Sequence, residues 1–293
     1  MKILVTGSAG QLGHEIMRQA ASSVHTYIFT DMVETSDAPG VVRLDITDRK
    51  AVEAAVTSDI DVIVNCAAFT DVNRAQSDPD AAFRVNADAV SCLAEAALRA
   101  DALLIHVSTD YVFDGKANVP YKEDSPTGPL NEYGRSKLEG ERAVAESGCR
   151  YMIFRSSWLY SNAGNNFFLK MAEKTAESPE VKVVIDQVGT PTNAYDLAEL
   201  IAYIIEEGML DRTGIYNYSN LGVCSWYDFA SEICSLLGHA CRVVPCRSDE
   251  FPSPAQRPCY SVLDKSKVMK TFGIEIPHWR DSLVLAVREY MQK

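Results

Sequence analysis

The stretch Lys2-Ile-Leu-Val-Thr-Gly7-Ser-Ala-Gly10-Gln-Leu-Gly13 decides the fold. A short apolar run leads directly into three glycines with the spacing GxxGxxG, and a segment of helical period follows over 11–21. The first glycine allows a tight turn, the second lets a diphosphate approach the backbone, and the third lets the helix lie close to the strand. The sequence therefore predicts a strand, a phosphate-binding turn and a helix whose positive amino end meets the diphosphate.

An acidic residue about 20 positions further on strengthens this interpretation. Asp31 ends the next predicted strand, Thr26–Asp31, where its carboxylate can accept hydrogen bonds from both hydroxyls of an adenosine ribose. The same carboxylate should repel a ribose phosphate, which favours NAD(H), although Arg43 or another cation would permit NADP(H). Asp45 and Ile46 suit the adenine edge, and a helix N-cap is an equally good account of Asp45. With NAD(P)H as the expected cofactor, the turn should contact it through Gly7, Gly10, Gln11, Leu12 and Gly13.

Beyond the turn, short Val/Ile-rich runs alternate with longer helical segments as far as Ser156, which is the pattern of βαβ units in a parallel sheet. The rhythm then loosens, and five prolines between Pro245 and Pro277 predict loops and short elements. We therefore expect an α/β protein with a doubly wound parallel Rossmann sheet and a smaller, interleaved C-terminal substrate domain. The dinucleotide-binding domain should span 1–156, with 182–237 partly returning to it, and the substrate-binding domain should comprise 157–181 and 238–293.

Composition and charge limit the classes of partner. The 293 residues are 47% hydrophobic and carry 28 Lys+Arg against 40 Asp+Glu, a formal net charge of −12. We do not expect such a chain to have the dense cationic face that binding of nucleic acid or anionic lipid requires. No window contains the roughly 18 unbroken apolar residues that a membrane span needs. Eight Cys without a CxxC pattern, and no visible export signal, predict a cytoplasmic protein with reduced thiols. Five His without ligand spacing argue against a metal site.

Proton-transfer chemistry is indicated by Tyr133 and Lys137, which lie four residues apart at the start of a predicted helix and so share one face. A phenol with a pKa near 10 is a poor catalyst at neutral pH, and a neighbouring ammonium brings that pKa toward the working range. Alone, such a pair is usually a solvated surface pair. Thr109 changes this interpretation, because it follows the predicted strand 102–107 at the carboxyl edge, where open α/β sheets bind ligands.

We therefore predict Thr109, Tyr133 and Lys137 as catalytic residues. Thr109, for which a strand-end cap is the simpler explanation, would hydrogen-bond a substrate carbonyl and orient Tyr133. Lys137 would also donate to a ribose hydroxyl. Asn86 lies in a helical run that Asn disfavours, so we expect its side chain to bond neighbouring backbone and shape the pocket.

Longer motifs carry a resemblance to a known family. The glycine spacing, the strand-end Thr and YxxxK resemble the extended short-chain dehydrogenase/reductases. Further segments resemble the dTDP-4-dehydrorhamnose reductases of that family over nearly the whole chain: Ser108-Thr-Asp-Tyr-Val-Phe-Asp-Gly115, Arg155-Ser-Ser-Trp-Leu-Tyr160, Gly189-Thr-Pro-Thr192 and Gln256-Arg-Pro258. The resemblance implies that the C4 keto group of dTDP-4-dehydro-L-rhamnose is reduced to dTDP-L-rhamnose, in polysaccharide biosynthesis. NAD(P)H would supply the hydride, and Tyr133 would be the proton donor.

The resemblance also implies further contacts. Thr109, Asp110 and Trp158 would contact the sugar, and Arg257 the nucleotide diphosphate, although core packing and a surface salt bridge are the simpler explanations of Trp158 and Arg257. Some members form dimers that are bridged by a metal ion held on carboxylates. Of these carboxylate positions, this chain matches Glu15 alone, so we expect a metal-free monomer. The cofactor would be lined by Ala67, Ala68, Phe69 and Thr70.

Similar proteins of other function leave alternatives open. The family's 4,6-dehydratases carry Glu directly after Thr-Asp, where this chain has Tyr111, so dehydration is disfavoured. The regulatory subunit of methionine adenosyltransferase is similar throughout and is a non-catalytic, NADP-binding partner protein. Thr109 beside Tyr133 and Lys137 favours the enzyme, although binding proteins can keep the pair. Another nucleotide-sugar reductase or epimerase of the same fold is the remaining alternative.

Overall fold

The structure is a computed structural model that describes residues 1–33 and 40–292. Its strands are β1 (Lys2–Thr6), β2 (Thr26–Asp31), β3 (Val42–Arg43), β4 (Val62–Asn65), β5 (Leu103–Thr109), β6 (Arg150–Ser156), β7 (Leu159–Tyr160), β8 (Glu180–Val184), β9 (Val188–Gly189), β10 (Thr192–Asn193), β11 (Gly214–Tyr218), β12 (Cys224–Ser225) and β13 (Arg242–Cys246). Its α-helices are α1 (Gln11–Ala20), α2 (Arg49–Ala55), α3 (Val72–Ser77), α4 (Pro79–Phe83), α5 (Ala89–Ala100), α6 (Glu132–Glu146), α7 (Phe167–Glu177), α8 (Ala194–Glu206), α9 (Trp226–Leu236), α10 (Ser266–Phe272) and α11 (Trp279–Tyr290). A π-helical turn, Arg84–Asp88, joins α4 to α5.

Within the described residues, seven strands form one parallel sheet in the order β11-β6-β5-β4-β1-β2-β3. The chain starts at β1 and winds outward first to one side and then to the other, so the order reverses between β1 and β4. A crevice opens at the carboxyl ends of strands at such a reversal, and ligands bind there in open α/β sheets. The predicted doubly wound Rossmann sheet is therefore confirmed.

Apolar side chains cover both faces of this sheet. Successive residues of a strand point to opposite faces, so Ile3 and Val5 pack with α1 and α8, whereas Leu4 packs with α2 and α5 on the other side. Each fully buried aliphatic side chain contributes about 1.5–3 kcal/mol. The sheet is thus a rigid platform for the groups at its carboxyl edge. In the described part of the chain, no helix is long and apolar enough to cross a membrane.

A third apolar cluster lies outside the sheet and is built from α7, α9 and α11 beside the β8–β13 pair. Within the range 182–237, α8 and β11 pack with the sheet, whereas α9 joins this third cluster. Conversely, α10 buries Val268 and Phe272 against the main core, although it lies in the range expected for the substrate domain. The two-domain division stays a prediction.

The C-terminal region contains a helix that is longer than the short elements expected from the sequence. The prolines predicted only loops and short elements, but α11 runs for 12 residues. It buries Trp279, Leu283, Ala286 and Val287, which recur at helical spacing, against the third cluster. His278 accepts a hydrogen bond from Arg280 N at the start of the helix, so Pro277 precedes α11 without interrupting it.

Candidate active site

The glycine turn leaves no room for side chains where it meets the sheet. Gly7 has φ +68, and a Cβ there would lie 2.5 Å from the backbone N of Ala67; a Cβ on Gly13 would lie 2.3 Å from the Gly7 carbonyl oxygen. Gly10 is the N-cap of α1, and in the described residues no side chain caps this helix. The N–H groups of its first turn therefore remain available to an anion, so the site fits the diphosphate of a dinucleotide.

Two of the expected cofactor residues bury their side chains in the core. Leu12 is 4% exposed and packs among the residues beside α8, and Ile46 is 6% exposed and packs with α2 and α5. Leu12 can meet a dinucleotide through its backbone N–H. Ile46 faces the core more than the adenine edge. The Gln11 side chain lies at the surface of the turn, where its Oε1 accepts a hydrogen bond from Ser161 Oγ at 3.4 Å.

The carboxylate of Asp31 joins β2 to the glycine turn. Its Oδ2 accepts from Ala9 N at 3.0 Å and its Oδ1 from Val33 N at 3.2 Å. Arg43 is the register partner of Asp31 in the neighbouring strand. A ribose would therefore meet a carboxylate that is already oriented by backbone donors and has a cation on the adjacent strand.

The proposed N-cap role of Asp45 is wrong. Asp48 caps α2, because its side chain accepts from the backbone N of Lys50 and Ala51. Asp45 instead closes a local turn, accepting from Thr47 N at 2.9 Å and from Thr47 Oγ1 at 2.7 Å. Its half-buried carboxylate remains a candidate for the adenine edge.

Thr109 and Tyr133 come together at the carboxyl edge of the sheet. Thr109 is the last residue of β5, and Tyr133 lies in the first turn of α6, whose N-cap Asn131 accepts from Gly134 N at 2.9 Å. The Thr109 side chain hydrogen-bonds the Tyr133 hydroxyl. A Cβ on Gly134 would lie 2.3 Å from the Tyr111 carbonyl oxygen, so this glycine lets α6 approach the end of β5 closely.

The expected lowering of the Tyr133 pKa by Lys137 is not found. Burial raises the pKa of the Tyr133 hydroxyl well above its usual value, and the hydrogen bond with Thr109 only partly offsets this. Lys137 Nζ instead donates to the Val107 carbonyl oxygen at 2.7 Å. Burial lowers the pKa of Lys137 to about 8, against the opposing effect of Glu141. In the protein alone, the loss of hydration therefore sets the direction of the Tyr133 pKa shift.

A buried ion pair that the sequence did not reveal joins α6, the helix of Tyr133, to β6. Glu141 lies one helical turn beyond Lys137 and accepts from Arg155 Nη2 at 2.7 Å and from Arg155 Nε at 3.0 Å. Both side chains are almost fully buried. Ser108 Oγ also donates to Glu141, so the residue next to Thr109 is tied to the helix that carries Tyr133. The available sequence signal was Arg155, a charged residue near the end of the apolar predicted strand Arg150–Ser156.

Asn86 fixes the segment that should line the cofactor, as its unusual helical position led us to expect. Its Oδ1 accepts from Phe69 N at 2.8 Å, and its Nδ2 donates to the Phe69 carbonyl oxygen at 3.0 Å and to Ser136 Oγ at 3.0 Å. The segment 67–70 follows β4 at the carboxyl edge. The π-helical turn thus connects this segment to the residue that precedes Lys137.

Asp110, which directly follows Thr109, is the residue predicted to contact the sugar. Asp110 is 1% exposed, and burial raises its pKa to about 7, against smaller lowering effects of Ser261 and Thr109. Thr109 Oγ1 donates to its Oδ1 at 3.1 Å, while Oδ2 has no hydrogen-bonding partner in the described residues. Asp110 is therefore a largely desolvated carboxyl group, and one of its oxygens is buried without a hydrogen-bonding partner in the described residues.

Arg257 reaches the site through Tyr111. The Arg257 side chain hydrogen-bonds Tyr111 and opposes the rise in pKa to about 12 that burial gives this phenol. The Tyr111 ring packs edge-on against Tyr133, with 5.6 Å between ring centroids. No ion pair of Arg257 is found in the described residues, which argues against the surface salt bridge and leaves its charge available to an anionic ligand.

Trp158 follows β6 by two residues, and Ser156 at the end of β6 is the register partner of Thr109. The indole is half-buried and stacks on Trp226 with 3.7 Å between ring centroids. Trp158 therefore lies at the same edge of the sheet as the predicted catalytic residues while packing against another aromatic ring.

The acidic residue expected for a metal bridge is already paired. Arg18 Nη1 lies 2.9 Å from Glu15 Oε2 and 2.9 Å from Glu289 Oε1. A second carboxylate, which belongs to a residue near the carboxyl end of the chain, therefore lies beside Glu15. The Arg18 guanidinium also lies 5.9 Å from the Tyr195 ring centroid. In the described residues, no group of three or more His, Cys, Asp or Glu could hold a metal. The metal-free state stays a prediction.

A glycine turn at the reversal of a doubly wound sheet, with Thr, Tyr and Lys at the neighbouring carboxyl edge, defines an extended short-chain dehydrogenase/reductase. The model of the RmlD substrate binding domain matches residues 1–292. The chain belongs to this family, which confirms the family that the sequence predicted.

Relatives of known name are similar over the whole chain. A dTDP-4-dehydrorhamnose reductase of Burkholderia thailandensis is 39% identical over 100% of both chains. The crystal structure of a dTDP-4-dehydrorhamnose reductase of Clostridium acetobutylicum covers 100% of both chains at 40% identity with a TM-score of 0.92. That of Bacillus anthracis, in complex with NADP, covers 98% of this chain and 99% of its own at 33% identity with a TM-score of 0.87.

Proposed function

We propose that this protein reduces the C4 keto group of dTDP-4-dehydro-L-rhamnose to dTDP-L-rhamnose, using NAD(P)H. The hydrogen-bonded Thr109 and Tyr133 at the carboxyl edge of the sheet carry this proposal, because they place a proton donor beside a predicted dinucleotide site. The names of the relatives supply the substrate. A C4 ketone becomes a secondary alcohol, and bound NAD(P)H provides the hydride that the carbon receives.

The chain's own residues handle the oxygen and its proton. Tyr133 donates its hydroxyl proton to the C4 oxygen, and Thr109 orients both the phenol and the carbonyl by hydrogen bonds. The raised pKa of Tyr133 keeps the phenol protonated at neutral pH, so the proton is present, but it also makes the phenol a weaker acid. Lys137 holds the ribose, and its ammonium stabilises the phenolate that remains after proton transfer.

The sugar nucleotide is held from the opposite side. Asp110 accepts a hydrogen bond from a sugar hydroxyl through Oδ2, which lacks a partner in the described residues, and Trp158 covers an apolar face of the ring. Arg257 pairs with the diphosphate, a contact for which guanidinium geometry is well suited. Asp31 and Arg43 lie side by side near the ribose site, so the chain offers features for both NAD(H) and NADP(H).

The reaction is tested by oxidation of each reduced nicotinamide in the presence of dTDP-, UDP- and GDP-linked 4-keto sugars. We expect turnover with dTDP-4-dehydro-L-rhamnose and formation of dTDP-L-rhamnose as the product. No oxidation with any 4-keto sugar, together with binding to a methionine adenosyltransferase catalytic subunit, would favour the regulatory protein instead. Turnover with another nucleotide-linked sugar alone would keep the chemistry and replace the substrate.

We further propose that the protein is a metal-free monomer in the cytoplasm. The pairing of Arg18 with Glu15 and Glu289 supports this, because an arginine occupies the position between two carboxylates that a bridging cation would need. Light scattering should give the mass of one protomer with and without chelator. A two-protomer mass that chelator reduces would contradict the proposal.

A further inference from the structure

Trp158 has a backbone conformation that bulky residues rarely adopt. Its φ is +49, and the other non-glycine residue with positive φ in the described part of the chain, Asp101, simply ends α5. A large side chain in the left-handed region is strained and persists only where its surroundings over-determine it. The environment of this indole should therefore contain groups that hold it in place.

The first such group is Trp226. The two indoles stack nearly parallel, 11° apart with 3.7 Å between centroids, and Phe167 packs behind Trp226 at 4.5 Å. Trp226 is the first residue of α9, where Ser225 and Asp228 form a reciprocal capping box. Its position is thus fixed by the start of a helix.

The second is Gly189, whose missing side chain makes room for the indole. A Cβ at Gly189 would lie 2.7 Å from Cε2 of Trp158 and 2.9 Å from Ser261 Oγ. Ser261 in turn interacts with the Asp110 carboxyl. The ring of Trp158 therefore lies close to the groups on the sugar side of the cleft. Gly189 pairs in register with Cys224, which leads directly to Trp226.

We propose that Trp226 and Gly189 are positioning residues that hold the Trp158 indole as a preformed aromatic wall of the sugar pocket. This inference rests on the proposed function, because it takes the dTDP-sugar as the ligand that meets this wall. If the indole is correctly placed in only a fraction of the molecules, the apparent Kd for the sugar rises by the inverse of that fraction. The nicotinamide cofactor, which binds at the glycine turn, should be unaffected.

Steady-state kinetics with saturating NADPH and varied dTDP-4-dehydro-L-rhamnose test the proposal. Trp226→Ala should raise KM for the sugar by about 3- to 10-fold, the range expected from losing one aromatic stack, with kcat nearly unchanged. Trp226→Phe should restore KM, since a second ring can stack in its place. Tyr227→Ala, one residue along the same helix, is the matched control and should leave KM as in the wild type.

Circular dichroism reports the geometry directly, because stacked indoles couple their electronic transitions. The wild type should show an exciton couplet that Trp226→Phe removes and that Gly189→Ala, which keeps both indoles, weakens. Gly189→Ala should also raise KM for the sugar, and it carries the test if Trp226→Ala does not fold. Cofactor affinity, measured by titration, should stay constant in every variant.

The outcomes separate the inference from the proposed function. A wild-type protein that does not reduce the sugar overturns both. A wild type that turns over, while Trp226→Ala and Gly189→Ala keep its KM, overturns the positioning role alone. A raised KM in Tyr227→Ala equal to that of Trp226→Ala also overturns it, since the effect would then belong to the helix as a whole.

Discussion

The two sides of the cleft are built in different ways. The cofactor side comes from short local motifs, with the glycine turn over 7–13, the segment 67–70 and the first turns of α6 each contributing as a unit. The sugar side gathers residues far apart in the chain, such as Asp110, Trp158, Trp226 and Arg257. A site made from local motifs can be recognised from spacing, whereas Asp110, Trp158 and Arg257 were indicated only by the family resemblance and Trp226 becomes visible only in three dimensions.

The cofactor side should carry the chemistry, and removal of its proton donor gives the largest expected effect. Tyr133→Phe should lower kcat by about 10²–10⁴-fold, the usual contribution of general acid catalysis, while NADPH still binds. Stopped-flow or steady-state kinetics and a cofactor titration measure the two quantities. The exposed Tyr203→Phe on α8 is the matched control. Loss of cofactor binding in Tyr133→Phe would indicate structural damage and remove the catalytic assignment.

The buried ion pair between Glu141 of α6 and Arg155 of β6 should stabilise the fold. Glu141→Gln leaves the Arg155 guanidinium buried without its counter-charge, so we expect the free energy of unfolding to fall by about 3–5 kcal/mol. Glu139→Gln, which removes an exposed partner of Arg142 on the same helix, should cost less than about 1 kcal/mol. Urea denaturation compares the two variants. Equal midpoints would contradict the role of the buried pair.

On the sugar side, Asp110 should make stability depend on pH. The folded-state pKa of about 7 lies above the unfolded value near 3.8, so the native state binds the extra proton and loses stability as pH rises between them. Asp110→Asn should remove this dependence. It should stabilise the protein at pH 8 by at most about 4 kcal/mol, with little change near pH 4. Unfolding at both pH values measures it, and a pH-independent difference would show that Asp110 is not the titrating group.

The smallest expected effect concerns the choice of cofactor. Asp31→Ala removes the negative charge that a ribose phosphate would meet, so the NADPH/NADH ratio of kcat/KM should rise by about tenfold. Asp31→Asn also removes the charge but keeps an acceptor for Ala9 N, so it distinguishes the loss of charge from a change in the geometry of the loop. It should shift the ratio in the same direction. An unchanged ratio in both variants would refute the role of Asp31 in cofactor selection.

Much of the cofactor side could be predicted from sequence because its signals are local. The strand, the three glycines and Asp31 occupy the arrangement that their spacing indicated, and Thr109 meets Tyr133 as expected. The pKa of Tyr133 could not be predicted, since it depends on how completely the surrounding elements exclude water. The predicted N-cap role of Asp45 was wrong for a simpler reason, because Asp48 caps the same helix.

The sugar side and the tail were harder to predict. Pro277 suggested an interruption, but it stands before α11, and only the packing of Trp279 and Leu283 on the third cluster explains a full helix there. Trp226 belonged to no recognised motif, and the motif Gly189-Thr-Pro-Thr192 did not show that Gly189 makes room for an indole. Their importance depends on a stack and a close approach between strands that are distant in sequence.

A crystal structure with NADP⁺ and dTDP-L-rhamnose tests the central claim most directly, because it shows which groups meet the C4 oxygen. We expect Tyr133 Oη and Thr109 Oγ1 both to lie within about 2.6–3.2 Å of this oxygen, with the nicotinamide ring facing the C4 carbon. A C4 oxygen that contacts solvent or another side chain, with the Tyr133 hydroxyl out of reach, would contradict it.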